Sequence, residues 1–285
     1  PAYFPDSLPG NADIGLGSPT AMSFGTDSNF PEPYRRALFI LDWAYGKIIA
    51  VHLMPEGASY RGQAEEFVTG RPLNVTGVDF GPDGSMYFVT GGRRTQSGLY
   101  RVRYVGSELQ PSLGQAAAGE AKRARKLRRR LEQFHSRRSI EGVGLAWEHL
   151  GNDDPWIRHA ARVALENQAL EQWKLPALTE SNTKKALSAL MALARSSDPK
   201  VQSQIFGRLN DLPWEGLPAQ WQLVALRTYQ LAFTRMGGGR PGDRNPIIKK
   251  IVTASEKSAE VRMEVSRLLI YLKAPGIIPG LLNYV

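Results

Sequence analysis

The hydrophobic period of this chain changes once, near residue 105, and that single change divides what can fold on either side of it. Alternation of two suits a half-buried strand, whereas steps of three and four suit one face of a helix, so no single element satisfies both. Residues 1–105 carry short β-prone runs at 21–24, 37–41, 47–53, 66–68, 75–80, 86–89 and 98–104, separated by Pro and Gly. Two turns punctuate them. Gly81-Pro82-Asp83-Gly84-Ser85 puts Pro where a turn wants a fixed φ, and Asp42-Trp43-Ala44-Tyr45-Gly46 joins two apolar runs as a hairpin.

Strand, hairpin, strand, crossing, strand is the order of a propeller blade. The first such unit has four strands and the second three, and two blades cannot close a ring. With Pro1 rather than Met in first place, the expectation is a fragment: the closing part of an all-β propeller whose other blades precede residue 1.

Beyond residue 105 the helical period takes over. Ala121, Ala124, Leu127, Leu131 and Phe134 form one stripe. Asp154-Pro155-Trp156-Ile157-Arg158, Asp198-Pro199-Lys200-Val201-Gln202 and Ser258-Ala259-Glu260-Val261-Arg262 each offer a capping side chain ahead of an amphipathic run. The first two are 44 residues apart, in the range of HEAT-type helix pairs; the third follows 60 later and takes in the glycine-rich stretch 236–243, read as an exposed insertion. The sequence thus predicts a partial β-propeller over 1–105, a basic linker and helix over 106–135, and an all-α HEAT-like solenoid over 136–285.

Ser18-Pro19-Thr20, Asp42-Trp43-Ala44-Tyr45-Gly46-Lys47-Ile48, Val51-His52-Leu53, Gly70-Arg71-Pro72-Leu73, Gly81-Pro82-Asp83-Gly84 and Gly92-Arg93-Arg94-Thr95-Gln96-Ser97-Gly98-Leu99-Tyr100-Arg101 follow one another in that order. Together they resemble the end of the planctomycete and verrucomicrobial "membrane-bound dehydrogenase" (PVC-type haem-binding) proteins, whose propeller is similar to those of sorbosone and quinoprotein glucose dehydrogenases. The resemblance implies an exported or periplasmic oxidoreductase. It would oxidise a sugar or alcohol at pyrroloquinoline quinone held with calcium, and pass electrons to a c-type haem domain outside this chain, with the helical part as a scaffold for that cytochrome or another protein. Arg71 matches the position at which quinoprotein glucose dehydrogenases place an arginine against the quinone. A guanidinium binds carboxylates in pairs and keeps its charge. The plain alternative is that Arg71 caps a turn or pairs with a neighbouring carboxylate. Arg93 and Arg94 are the other candidate cofactor contacts, facing an anionic ligand at the channel mouth, or else forming salt bridges. The competing classes are a non-enzymatic scaffold for a protein, polysaccharide or redox partner, and a calcium-dependent propeller hydrolase.

Several chemistries find no support in the residues. There is no cysteine, hence no disulfide, thiolate metal site or CxxCH haem attachment within the sequence given. No apolar run approaches the roughly 18 residues of a membrane span. His52 sits mid-strand between Val51 and Leu53, and His135, His149 and His159 lie in helices without paired ligands; all four read as ordinary structural residues. Gly237-Gly238-Gly239 lacks the Lys-Ser/Thr of a phosphate loop. The net charge of +9 equals the nine cations of Lys122–Arg130 together with Arg137 and Arg138. Without interleaved aromatics this run suits a solvated helix face better than nucleic acid, with an acidic cytochrome surface as the intermediate reading.

Overall fold

In the computed structural model the described residues are 3–92, 95–106, 118–196, 198–253 and 258–276. The chain forms two compact units, Gly10–Ala124 and a second made of Pro1–Pro9 with Arg125–Val285.

The first unit holds two antiparallel sheets. One has the strands β1 (Pro19–Phe24), β2 (Leu38–Asp42), β3 (Lys47–Glu56) and β4 (Ser59–Thr69) side by side in chain order; the other has β5 (Val75–Phe80), β6 (Met86–Gly92) and β7 (Thr95–Val102). A short helix, α1 (Glu32–Arg35), lies between β1 and β2. Phe39 of β2 and Ile48 and Ala50 of β3 are fully buried, and with Val75, Met86 and Phe88 of the second sheet they form one core. Phe39 meets Phe67 edge-on at 5.0 Å and Phe80 at 5.8 Å, so aromatic rings join the two sheets.

The two hairpin loops are built as their residue types require. Asp42 Oδ1 accepts from the backbone N–H groups of Ser18 (2.9 Å) and Ala44 (3.0 Å), while Trp43 donates its indole N–H to Gly91 O at 2.9 Å. Gly46 has φ +64°, and a Cβ there would stand 2.5 Å from Gly70 O, so the β2–β3 turn admits only glycine. Gly84 has φ +69° in the second turn, where Asp83 accepts from Ser85 N and pairs with Arg101.

The second unit is helical. After α2 (Ala118–Glu132) come α3 (Ile140–His149), α4 (Pro155–Glu166), α5 (Leu170–Thr179), α6 (Thr183–Arg195), α7 (Gln202–Asp211), α8 (Ala219–Met236), α9 (Arg244–Val252) and α10 (Ala259–Tyr271). They pack in two layers, with α4, α6, α8 and α10 as successive neighbours in one, and α3, α5, α7 and α9 in the other. The starts are capped by side chains: Ser139 accepts from Gly142 N, Asp154 from Trp156 N and Ile157 N, Asn182 from Lys185 N, and Ser258 from Val261 N. Buried Gln168, just past the end of α4, ties that helix to the α2–α3 connection, donating to Phe134 O and Arg137 O and accepting from Ser139 N.

The expected fold class is overturned. The chain is mixed α and β, two small antiparallel sheets with ten helices among the described residues, and not an all-β propeller followed by an all-α solenoid. Hairpin signals fix which strands pair locally, but ring closure depends on pairings that no local pattern encodes. The alignment of three capped segments is also corrected. Asp154 and Ser258 open α4 and α10 of one layer, while Asp198 caps a turn of 3₁₀-helix leading into α7 of the other. A cap marks a helix start without marking its layer. Of the stretch 236–243, Met236 is the buried last residue of α8 and 237–243 form the α8–α9 connection.

The basic run keeps its amphipathic helix. Ala121, Leu131 and Phe134 are buried, and Ala124 and Leu127 half-buried. Arg128 pairs with Glu132 at 3.1 Å and lies over Trp156, and Arg130 and Arg137 both reach Glu141. Leu131→Ala should therefore lower stability by about 2–5 kcal/mol through the cavity it leaves, and Arg129→Glu on the exposed face by less than about 0.5 kcal/mol. Urea midpoints compare the two; equal shifts would refute the buried stripe.

Candidate functional site: an arginine-walled groove

Arginines on three successive helices of one layer converge. Arg158 and Arg162 stand four apart on α4, hence on one face; Arg195 ends α6; Arg227 lies midway along α8. Arg162 is only 3% exposed, so its charge must be met inside the protein. It is met by Glu166, one turn on, and Arg195 Nε donates to the same carboxylate at 3.0 Å.

Residues 3–9 lie in this unit and supply the remaining partners. Phe4, Pro5, Asp6 and Ser7 form a tight turn, Ser7 N donating to Phe4 O at 3.0 Å with Pro in the second position. The turn presents Asp6, whose side chain is 8% exposed, to Arg227. Arg227 Nε and Nη2 donate to Oδ1 and Oδ2 at 2.8 and 3.1 Å, a two-pronged clasp, and Arg195 Nη1 approaches Oδ2 at 3.6 Å. Arg162 Nη2 donates to the carbonyl oxygen of Asp6 at 3.1 Å. The Phe4 ring lies 4.2 Å from the Arg227 guanidinium carbon. Tyr3 donates its hydroxyl to Glu264 of α10 at 2.6 Å, a carboxylate that Gln230 and Arg267 also reach.

A hollow of about 290 Å³ lies beside the turn, lined by Ser7, Arg158, His159, Met191, Leu223 and Val224 among others. A second, of about 260 Å³, lies on the other flank of Phe4 against Phe233, Glu264, Arg267 and Tyr271.

Burial would push the Asp6 carboxyl up, but the Arg227 hydrogen bonds and charge, the backbone and Arg162 overcome it and hold Asp6 below the ordinary carboxylate range. His159 moves to about 4, first because burial disfavours its cation and then because Arg162 stands beside it; Arg162 Nη2 and His159 Nδ1 are 3.1 Å apart. His159 is therefore neutral at pH 7, as an acceptor for a guanidinium must be.

Of the residues singled out in the sequence, His159 lines the groove, whereas Arg71 and His52 belong to the other unit. Arg71 is exposed and lines a depression of about 370 Å³ with Tyr45, Lys47, Glu66, Thr69 and Gly70. Lys47 is already paired with Glu66 at 3.4 Å. One guanidinium there fits a carboxylate of a quinone, but no group of three or more His, Asp or Glu side chains among the described residues fits calcium. Arg93 and Arg94 lie outside the described residues. His52 pairs with Glu65 at 3.2 Å and meets the Tyr34 ring. His135 bonds the Ala160 carbonyl oxygen. No helix among the described residues is long and apolar enough to cross a membrane.

Sequence reading missed Asp6, the three arginines that reach it (Arg162, Arg195 and Arg227) and Arg158 beside them. Only Arg158 and Arg162, four apart within an otherwise apolar helical run, carried a local signal.

The two displaced groups give the helical unit a defined acid response. A depressed histidine leaves the unfolded chain binding the extra proton, so its contribution falls as pH drops from about 6.5 to about 4. A depressed carboxylate contributes above its unfolded value and is lost as pH falls further, through the folded one. The urea midpoint should fall across pH 6.5 to 4 in the wild type and less steeply in His159→Gln; parallel profiles would refute a neutral His159. No family model, curated protein or solved structure matches this chain.

Proposed function

We propose that this chain is a binding scaffold whose helical unit docks a turn-forming peptide segment of the type aromatic-Pro-Asp. The observation that carries this reading is the Asp6 carboxylate, almost wholly removed from water and clasped by Arg227 with Arg195 behind it. Recognition of such a turn uses three separable contacts: a ring over a guanidinium, a carboxylate in a two-pronged clasp, and a backbone carbonyl on Arg162. Proline fixes the turn before docking and so lowers the ordering cost. In this chain residues 3–9 occupy the groove themselves, so a partner's segment competes with a tethered one.

The test is fluorescence anisotropy with a labelled peptide of residues 3–9. Asp6→Arg sets a cation against Arg195 and Arg227 and expels the chain's own segment. That variant should bind the peptide at least ten-fold more tightly than the wild type does, and Asn in place of the peptide's Asp should weaken binding at least ten-fold. An Asp6→Arg chain with native circular dichroism and no peptide binding would overturn the reading.

The second reading is the oxidoreductase that the family resemblance implies, exported and passing electrons from a sugar or alcohol to a c-type haem. Arg71 favours it, exposed and without an ion pair among the described residues at the rim of a polar depression. Titration calorimetry with pyrroloquinoline quinone and calcium tests it. Binding that Arg71→Ala weakens about ten-fold or more supports a quinone contact; unchanged binding removes Arg71 from it.

A further inference from the structure

The turn that fills the groove leaves it incompletely filled. The hollow beside it has Met191 of α6 and Leu223 and Val224 of α8 on its walls, with Pro155 of α4 at the edge. Its two guanidiniums already have acceptors. Arg158 donates to Asn152 O and Asp153 O and lies 4.7 Å over the Trp221 ring, while Arg162 serves Glu166, Asp6 O and His159. Phe4 and Pro5 of the turn, with Pro9 after them, line the hollow without filling it. Of the turn's side chains on that side Ser7 is the smallest: it is exposed, and its hydroxyl has no partner among the described residues. Unfilled space beside close-packed walls forfeits dispersion and burial that a larger side chain would supply.

We infer that the groove's external partner is a protein segment reading aromatic-Pro-Asp followed by a bulky apolar residue, with that fourth side chain seated in the hollow between α4, α6 and α8. This rests on the peptide-docking reading above and deepens it by naming the position that sets specificity. Three contacts are shared by the chain's own turn and the partner's. The fourth is the partner's alone. That asymmetry makes residues 3–9 a placeholder: held firmly enough to cover the arginines, and weaker than a ligand that also buries a leucine- or phenylalanine-sized group. Burying such a side chain corresponds to roughly a ten- to hundred-fold gain in affinity. Charge complements the choice of acid, since Arg195 and Arg227 both face the Asp6 position.

Two measurements test it, both on the full chain. First, the Asp6→Arg chain is titrated with the peptide of residues 3–9 and with the same peptide carrying Leu or Phe at the Ser7 position. The inference expects at least ten-fold tighter binding of the apolar versions and no such gain when Leu223→Arg fills the hollow. Equal affinity of all three peptides overturns the inference and leaves the docking reading standing; binding of none overturns both. Second, Ser7→Leu in the otherwise wild-type chain should raise the melting temperature and slow proteolysis within residues 3–9, because the tethered segment then fills its own hollow. A lowered melting temperature with faster cleavage overturns the inference. Concentration-dependent dimers of the wild-type chain, lost in Asp6→Arg, would overturn it in favour of a second copy's residues 3–9 as the occupant.

Discussion

A guanidinium buried to 3% exposure cannot be left to the solvent, and Arg162 organises the helical unit around that requirement. Its charge is answered by Glu166 one turn along α4, and Glu166 is shared with Arg195 from α6, so the pair becomes a bridge between neighbouring helices. One donor remains for the Asp6 carbonyl, and another meets the His159 ring. A protonated His159 would put two cations in contact. The depressed histidine is thus a consequence of the buried arginine as well as of burial itself. Such a network is a specificity device more than a source of stability: pairing offsets the desolvation of the charges without greatly exceeding it. Its effect is to fix how α4 and α6 pack and to leave a geometry that only a carbonyl and a carboxylate can complete.

That geometry explains how a segment as short as seven residues, Tyr3 to Pro9, is held. Ordering a free chain costs about 1–2 kcal/mol per residue in backbone entropy, far beyond the return of a single surface ion pair. Proline at the second turn position and the Ser7–Phe4 hydrogen bond restrict the turn in advance. The carboxylate is taken from water only where two arginines receive it, and the ring of Phe4 covers the flat face of one of them. Each contact limits the cost of the next. The same logic makes the segment replaceable, because the recognised features are local to four residues and depend on nothing that follows them in the chain.

Much of the local structure was legible in the sequence. Six of the seven strand runs, the Asp42 hairpin, the Pro82-Asp83-Gly84 turn and the starts of α4 and α10 stand close to where residue type put them, since each rests on φ preferences or hydrogen bonds within a few residues, whereas β4 reaches back to Ser59 from the run at 66–68. What failed was non-local. Seven strands were read as blades of a ring, whereas they form two sheets joined through Phe39, Phe67 and Phe80, and nothing in a hairpin signal says how far a sheet continues. Asp198 resembles Asp154 as a cap, yet its helix belongs to the other layer, because layer membership follows the apolar face and not the cap.

The groove was illegible for a related reason. Asp6 is 156 residues from Arg162 and 221 from Arg227, and no composition or periodicity links an acid in a Pro-rich segment to arginines on distant helices. Arg158 and Arg162 resemble any amphipathic helix's solvent-facing cations until their burial is known. Arg71 drew notice through a linear resemblance, yet it stands on an exposed rim beside a lysine already paired. A residue's chemistry can be read from a sequence, but its solvation cannot, and solvation decides which cation is a site. Arg162, out of water and complete only with residues 3–9 in place, is the cation whose position demands a partner.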